Sequence, residues 1–465
     1  MSDSLRTDKR IAAEQVAALA EWIAALRWEQ VPPEVRQRLS AVLLDTLAVT
    51  AAGARTADQA RIRAGWPQPP GGAPVLGAGV LTTVDAAAFL NAGALVCCEL
   101  DEGNKYARGH PAAHSLPAIL ALAADSGASG ERTALALLAG YEVAARFGRA
   151  TVLHNGVHPH GSWGIAGAAA GCSVLLGLPA AAVAAAIDTA AGLPIAGRFD
   201  SALDGHRVRD AWVGAGALSG LTAARLAQAG VVRNSGTAAL TLGTLLGRFA
   251  PDRLTAGLGA DWLILGNYFK RHASCSYTHP AADLAIELRD RHLTGLTPEQ
   301  IADRVEELAV ATHSLAAPLD RTDWDSPLAA MFSVPYAVSA ALLYGEVAPA
   351  TADRGPREDP LLRRLAARVA VGEDPALTAQ LPDRRAAELH ARLADGRSLR
   401  LSAPNPVGDS DHRPFDDAAL SAMLAGLLGD RAAVDAFARA ATALPGAPDA
   451  GELLRPLAAE GIRTR

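Results

Sequence analysis

Four short polar stretches interrupt an otherwise bland, Ala-rich sequence, and they hold the residues able to do chemistry. Residues 99–114, within CELDEGNKYARGHPAAH, crowd together Glu99, Asp101, Glu102, Asn104, Lys105, Arg108, His110 and His114. Residues 154–164 (HNGVHPHGSWG) carry His154, His158 and His160. Residues 204–212 (DGHRVRDAW) carry Arg207 and Arg209, and residues 270–279 (KRHASCSYTH) carry Lys270, His272, Cys275 and His279. Several histidines beside Arg and Lys, without a cofactor motif, suit proton transfer on a small polycarboxylate. Cations hold the carboxylates and stabilise an enolate-like intermediate, while histidines move protons as general acid and base. Dehydration, decarboxylation, epimerisation and isomerisation all use this set of groups.

Each stretch alone also reads as a solvated loop, with His-Pro at 110–111 and 158–159 as turn chemistry. Their recurrence where apolar helices end argues for function. So does the cation count: of 43 Lys plus Arg, only Lys9, Lys105 and Lys270 are lysines. A chain that has drifted to Arg keeps Lys where a compact ammonium does something a guanidinium cannot. His272-x2-Cys275-x3-His279 has zinc-like spacing, but the adjacent Lys and Arg would repel a cation and HExxH is absent. Cys275 as a nucleophile beside His272 or His279 is a lesser option. A prenyl-diphosphate cyclase reading of ELDEGN fails on aromatics, which make up only 5% of the chain.

These stretches must be positioned by a framework, and 465 residues predict two domains. A net charge of −6 with 20% charged residues gives no footprint for nucleic acid. Four cysteines, Cys97, Cys98, Cys172 and Cys275, do not make a disulfide framework, and the polar N-terminus lacks a signal-peptide pattern. A cytoplasmic protein is expected. Residues 161–187 have no charge but are broken by Leu-Gly-Leu-Pro at 176–179, so two buried helices are expected rather than a membrane span.

Ala-rich helices punctuated by Gly or Pro are predicted at 12–26, 33–52, 83–98, 114–126, 130–147, 161–176, 178–190, 210–229 and 236–247. Gly214-Ala-Gly216 with Gly220 lies inside one of them and reads as helix packing, not a dinucleotide loop. After about residue 265 the texture changes. RVEELAVATH at 304–313 and RVAVG at 368–372 predict strands, and 388–402 predicts a hairpin around Asp395-Gly396. The last sixty residues return to helix. The expected fold is mainly α: an all-α domain over 1–266, rejoined by 404–465, with an inserted α+β lid over 267–403.

Several segments together resemble the MmgE/PrpD family, which includes 2-methylcitrate dehydratase, cis-aconitate decarboxylase and iminodisuccinate epimerase. They are LLDTLAVTAAGA at 43–54, GHPAAH at 109–114, GYEVAARFG at 140–148, HPHGSWGIAGAAA at 158–170, KRHASCSYTH at 270–279 and FSVPYAVSAALLYG at 332–345. The resemblance implies an all-α domain plus a smaller α+β lid, a homodimer, and an active site between domains without metal or organic cofactor. It places His114 and His158 at active-site histidine positions, Lys270 at an active-site lysine, and Tyr336 on the family's SxPY segment. Glu99 falls at an aspartate position and Arg209 where several members carry lysine. Cys275 falls where the decarboxylase branch has histidine. These departures weigh against cis-aconitate decarboxylation.

The resulting expectation is a lyase on a small hydroxy-polycarboxylate, of the 2-methylcitrate dehydratase type. His114 or His158 would take the α-proton while the other protonates the leaving hydroxyl. Lys270, Arg209, Lys105 and Arg108 would hold carboxylates, Asn104 and Tyr336 would orient the substrate, and Glu99, Cys275 and His279 complete the site. An epimerase, isomerase or decarboxylase is the nearest alternative, and a non-catalytic all-α binding protein is an alternative of another class.

Overall fold

The computed structural model describes residues 3–353 and 359–461. Helices dominate the first half of the chain. Those that shape the site are α1 (Asp3–Ala25), α2 (Pro33–Ala54), α3 (Val84–Val96), α4 (Pro111–Ser126), α5 (Gly130–Ala150), α6 (Ile165–Leu175), α7 (Ala180–Ala190) and α8 (Val208–Gln228). Local signals set their ends. Pro111 opens α4, and Gly127 closes it in the left-handed conformation. The Ser129 side chain caps α5 by accepting the Arg132 N–H.

Small residues let these helices approach backbone to backbone. A Cβ on Gly167 would stand 2.3 Å from the Gly140 carbonyl oxygen, and one on Gly220 would stand 2.4 Å from the Ala168 Cβ. Gly220 therefore serves helix packing within α8, and any side chain there would force α6 and α8 apart. The uncharged stretch 161–187 divides into α6 and α7 at a turn where Gly177 has φ +69°. Among the described residues no helix is long and apolar enough to cross a membrane.

The chain then builds a four-stranded sheet. Its strands are β1 (Val305–Thr312), β2 (Val369–Glu373), β3 (Ala387–Leu393) and β4 (Ser398–Ala403), in spatial order β4–β3–β1–β2. β1 runs parallel to β2 and antiparallel to β3, and β3 and β4 form the hairpin, turning at Gly396 with φ +87°. Alternating burial along β3 turns one face inward. Helix α9 (His279–His292) packs on β3 and β4 and against α10 (Val334–Tyr344). Finally α11 (Asp417–Leu428) and α12 (Arg431–Ala443) fold back onto α2.

Buried apolar side chains form two main clusters. One gathers α1–α8 with Phe269, Ala273, α11 and α12; the other holds Ala202 and residues from Cys275 to Leu393. The chain passes between them in the KRHASCSYTH stretch. Some expected boundaries differ. The helix expected at 236–247 is α-helical only over Thr237–Leu240, then widens to a π turn and becomes a strand, Gly247–Phe249, paired with Thr151–Leu153. A helix at Ala57–Gly65 and the hairpin Ala73–Val75/Val80–Thr82 were not expected. Strands of three residues carry too little alternation to read.

Candidate active site

A cavity of about 250 Å³ lies where the four polar stretches meet, and each contributes to its wall. One of its buried charged groups, Glu99, follows α3. The helix ends at Val96, and Glu99 turns the chain in the left-handed region at φ 53°, a costly conformation for a residue with a side chain. The buried Glu99 carboxylate forms an ion pair with the Arg209 guanidinium through one oxygen and with Lys270 Nζ, at 3.2 Å, through the other. Burial alone would raise its pKa, but Arg209 and Lys270 together hold it at about 2. Lys270 Nζ also stands 3.3 Å from Asp101, and these two carboxylates outweigh its burial and hold it firmly protonated.

The histidines divide by tautomer. His110 caps α4, and its Nδ1 lies 2.7 Å from the Glu102 carbonyl oxygen and 3.1 Å from Asp101 Oδ2. Nδ1 can only donate there, so Nε2 of the neutral ring keeps its lone pair. His158 is the reverse, because its Nδ1 accepts the backbone N–H of His160 at 3.0 Å and the proton sits on Nε2. His160 Nδ1 lies 3.3 Å from Arg209 Nη2, which can only donate, so this ring too carries its proton on Nε2. Burial, reinforced by Arg209, pulls His158 and His160 well below the ordinary histidine range. Burial also lowers His110, against the pull of Asp101. The wall therefore presents one imidazole lone pair beside two imidazole N–H donors.

Among the residues expected at the site, Glu99, Asn104, Lys105, Arg108, His158, Arg209 and Cys275 line the cavity. Asn104 spends its side chain on backbone groups, accepting from Tyr106 and Ala107 N–H within its own loop and donating to the distant Leu263 carbonyl. Lys105 is held by Asp409 at 3.1 Å, Asp411 at 2.7 Å and the Asp383 carbonyl at 2.8 Å. Arg108, exposed, sits at φ 57° and donates to the Thr151 carbonyl. Burial pushes the Cys275 thiol up to about 12, aided by Glu99, which leaves it a poor nucleophile.

Four expected residues are not on the wall. His114, in the first turn of α4, packs its ring against Trp163 and His160, and neither ring nitrogen has a hydrogen-bond partner among the described residues. Lys270 stands behind Glu99 and Asp101. Tyr336 points into the second apolar cluster with its ring 5.4 Å from Trp324. His279 directs Nε2 at the Ser274 carbonyl, while His272 Nε2 lies 3.0 Å from Asp283, so this pair is spent on structure. Among the described residues no group of three or more His, Cys, Asp or Glu side chains is arranged to hold a metal ion.

Sequence reasoning singled out His114 where the wall holds His110, and it passed over His160, Asp101 and Arg385 as site residues. His110, His160 and Asp101 were visible as members of the polar stretches. Arg385 was not, since nothing around it marks a site.

The chain matches the MmgE/PrpD N-terminal domain over residues 17–245 and the MmgE/PrpD C-terminal domain over residues 272–441. It is 29% identical over 374 residues to the cis-aconitate decarboxylase-like protein oryM of Aspergillus oryzae, covering 73% of this chain and 76% of that one. It is 28% identical over 355 residues to a cis-aconitate decarboxylase of Aspergillus terreus, covering 70% and 71%. The two domain matches, meeting near the stretch where the chain passes between its apolar clusters, place this protein in the MmgE/PrpD family.

Proposed function

We propose that this protein is a cofactor-independent lyase that dehydrates a small hydroxy-polycarboxylate of the 2-methylcitrate type. The observation that carries the reading is the His110 tautomer: a lone pair on Nε2, fixed by the Glu102 carbonyl that takes the Nδ1–H, in a cavity ringed by cations. His110 takes the proton α to a carboxylate. The negative charge that develops is met by the Nε2–H groups of His158 and His160 and by the positive field of Arg209. The imidazolium formed on His110 is then the strongest acid in the cavity and returns the proton to the departing hydroxyl. The C–H and C–O bonds break, a C=C bond forms, water leaves and His110 is neutral again. Lys270 acts through Asp101 and Glu99 and is a positioning residue.

Decarboxylation is the second reading, favoured by the names of the Aspergillus relatives. It requires an acid that delivers a proton to a carbanion, whereas burial holds these histidines neutral. Proton NMR in D₂O separates the two, using chelator-treated protein with 2-methylcitrate, citrate, cis-aconitate and iminodisuccinate. An alkene signal from a hydroxy acid establishes dehydration. Loss of a carboxylate from cis-aconitate replaces it with decarboxylation, and solvent deuterium at an α-carbon without net product replaces it with epimerisation.

A further inference from the structure

Several cations line or back the cavity, and counting their hydrogen bonds shows which can still hold a substrate. The ammonium of Lys105 has three N–H groups and three acceptors, on Asp383, Asp409 and Asp411. Arg209 gives Nη1 to the Val96 carbonyl and Asp210, and Nη2 to Glu99 and His160, so its four terminal N–H groups are engaged and only its buried Nε has no partner. Lys270 does not reach the wall. Arg385 differs. Its guanidinium uses Nη1 on Ser276 Oγ at 3.1 Å and Nη2 on Asp409 at 3.2 Å, while Nε is buried without a partner. Only 4% of the residue is exposed, it lines the cavity, and its guanidinium carbon lies 4.1 Å from the Tyr268 ring centroid.

Arg385 is also fixed in place. Its backbone N–H donates to Asn405 Oδ1 at 2.8 Å, two residues before β3 begins, and Asp409 divides its oxygens between Lys105 and Arg385. Among the described residues, no ion pair or hydrogen bond joins Arg385 to the histidine group. We propose that Arg385 is the specificity-determining residue of this cavity, and that its unspent N–H groups bind a carboxylate remote from the reacting carbon. A planar fork with free donors matches a carboxylate, and the Tyr268 ring and Asp409 hold its plane before substrate arrives. The inference rests on the polycarboxylate reading and deepens it: Arg385 is the contact by which the site tells a substrate with a third carboxylate from one with two.

The test is calorimetric binding of two unreactive ligands, tricarballylate and glutarate, to the full chain and to Arg385→Gln and Arg385→Lys. Wild-type protein binds tricarballylate more tightly, by about tenfold to a hundredfold for a charge-assisted contact. Arg385→Gln brings that ratio close to one with glutarate affinity little changed, and Arg385→Lys falls between. Should the glutamine variant fail to fold, as a thermal melt will show, the lysine variant carries the test because it keeps the charge near Asp409. A ratio unchanged in a folded variant overturns the role of Arg385 and leaves the polycarboxylate site standing. Binding of neither ligand by wild-type protein overturns both, and shows that the broader reading failed first.

Discussion

Asp101 Oδ2 stands 3.1 Å from His110 Nδ1, while the other oxygen of the same carboxylate lies 3.3 Å from Lys270 Nζ. A buried cation is thereby coupled through a buried anion to the one imidazole that faces the cavity with a free lone pair. The Glu102 carbonyl takes the Nδ1–H and fixes the tautomer, and the Asp101 charge beside it favours the imidazolium that appears once a proton is taken.

Replacing His110 by Asn should lower kcat about 10²- to 10⁴-fold, the usual worth of a positioned base. Asp101→Asn should lower kcat by less, because the Glu102 carbonyl still holds the Nδ1 proton and what is lost is the charge that favours the imidazolium. Steady-state kinetics on the substrate found by NMR checks both. A fully active His110→Asn enzyme would place the base elsewhere.

Lys270→Met should destabilise the protein by about 3–5 kcal/mol at pH 7, since it leaves two buried carboxylates short of a cation. Urea denaturation measures the difference. Glu99, held at about 2 when folded against an ordinary 4.5, gives the pH dependence. Its contribution is complete above the ordinary carboxyl range and is lost as pH falls toward 2. The gap between wild type and variant should therefore narrow in acid.

How much of this was legible depended on whether a signal was local. The strands β1 and β2 and the hairpin of β3 and β4 announce themselves by alternation and by Asp395-Gly396. The polar stretches stand out against Ala-rich helix. Within a stretch, the residue that faces the cavity was not legible. His110 and His114 lie four positions apart, and the helix start at Pro111 decides between them. As the cap, His110 stays at the mouth of the helix, while His114 is turned into the packing beside Gly164. The two retained lysines were a sound signal of a different role: Lys105 meets three oxygen acceptors and Lys270 two carboxylates, so each works as a compact internal charge. Tyr336 follows a Ser333-capped helix start that sends its ring to Trp324. Arg385 reaches the wall only because the strand β3 is placed by pairing with distant β1, which no local pattern encodes.

Cys275→Ser should keep activity within about tenfold, because a thiol pushed up to about 12 supplies little thiolate near neutral pH. Iodoacetamide should accordingly label Cys275 slowly at pH 8, as followed by intact-protein mass spectrometry. Rapid labelling that abolishes turnover would restore the nucleophile reading.

His114→Leu is the substitution that separates position in the sequence from position in the site. The ring is buried, its nitrogens have no hydrogen-bond partner among the described residues, and burial lowers its pKa from the ordinary 6.5 to about 3. An apolar side chain of similar size removes two polar atoms that have nothing to bond, so neutral-pH stability should change by only about 1 kcal/mol. Acid behaviour should change more. Below pH 6.5 the unfolded chain takes up a proton at His114 that the folded chain refuses until about pH 3, so wild-type stability falls across that window. The leucine variant lacks this loss, and its melting temperature should decline less between pH 7 and pH 4. Its kcat should stay within about tenfold of wild type, since the base is His110. A variant that folds and melts as expected but loses activity about a thousandfold would return His114 to the chemistry.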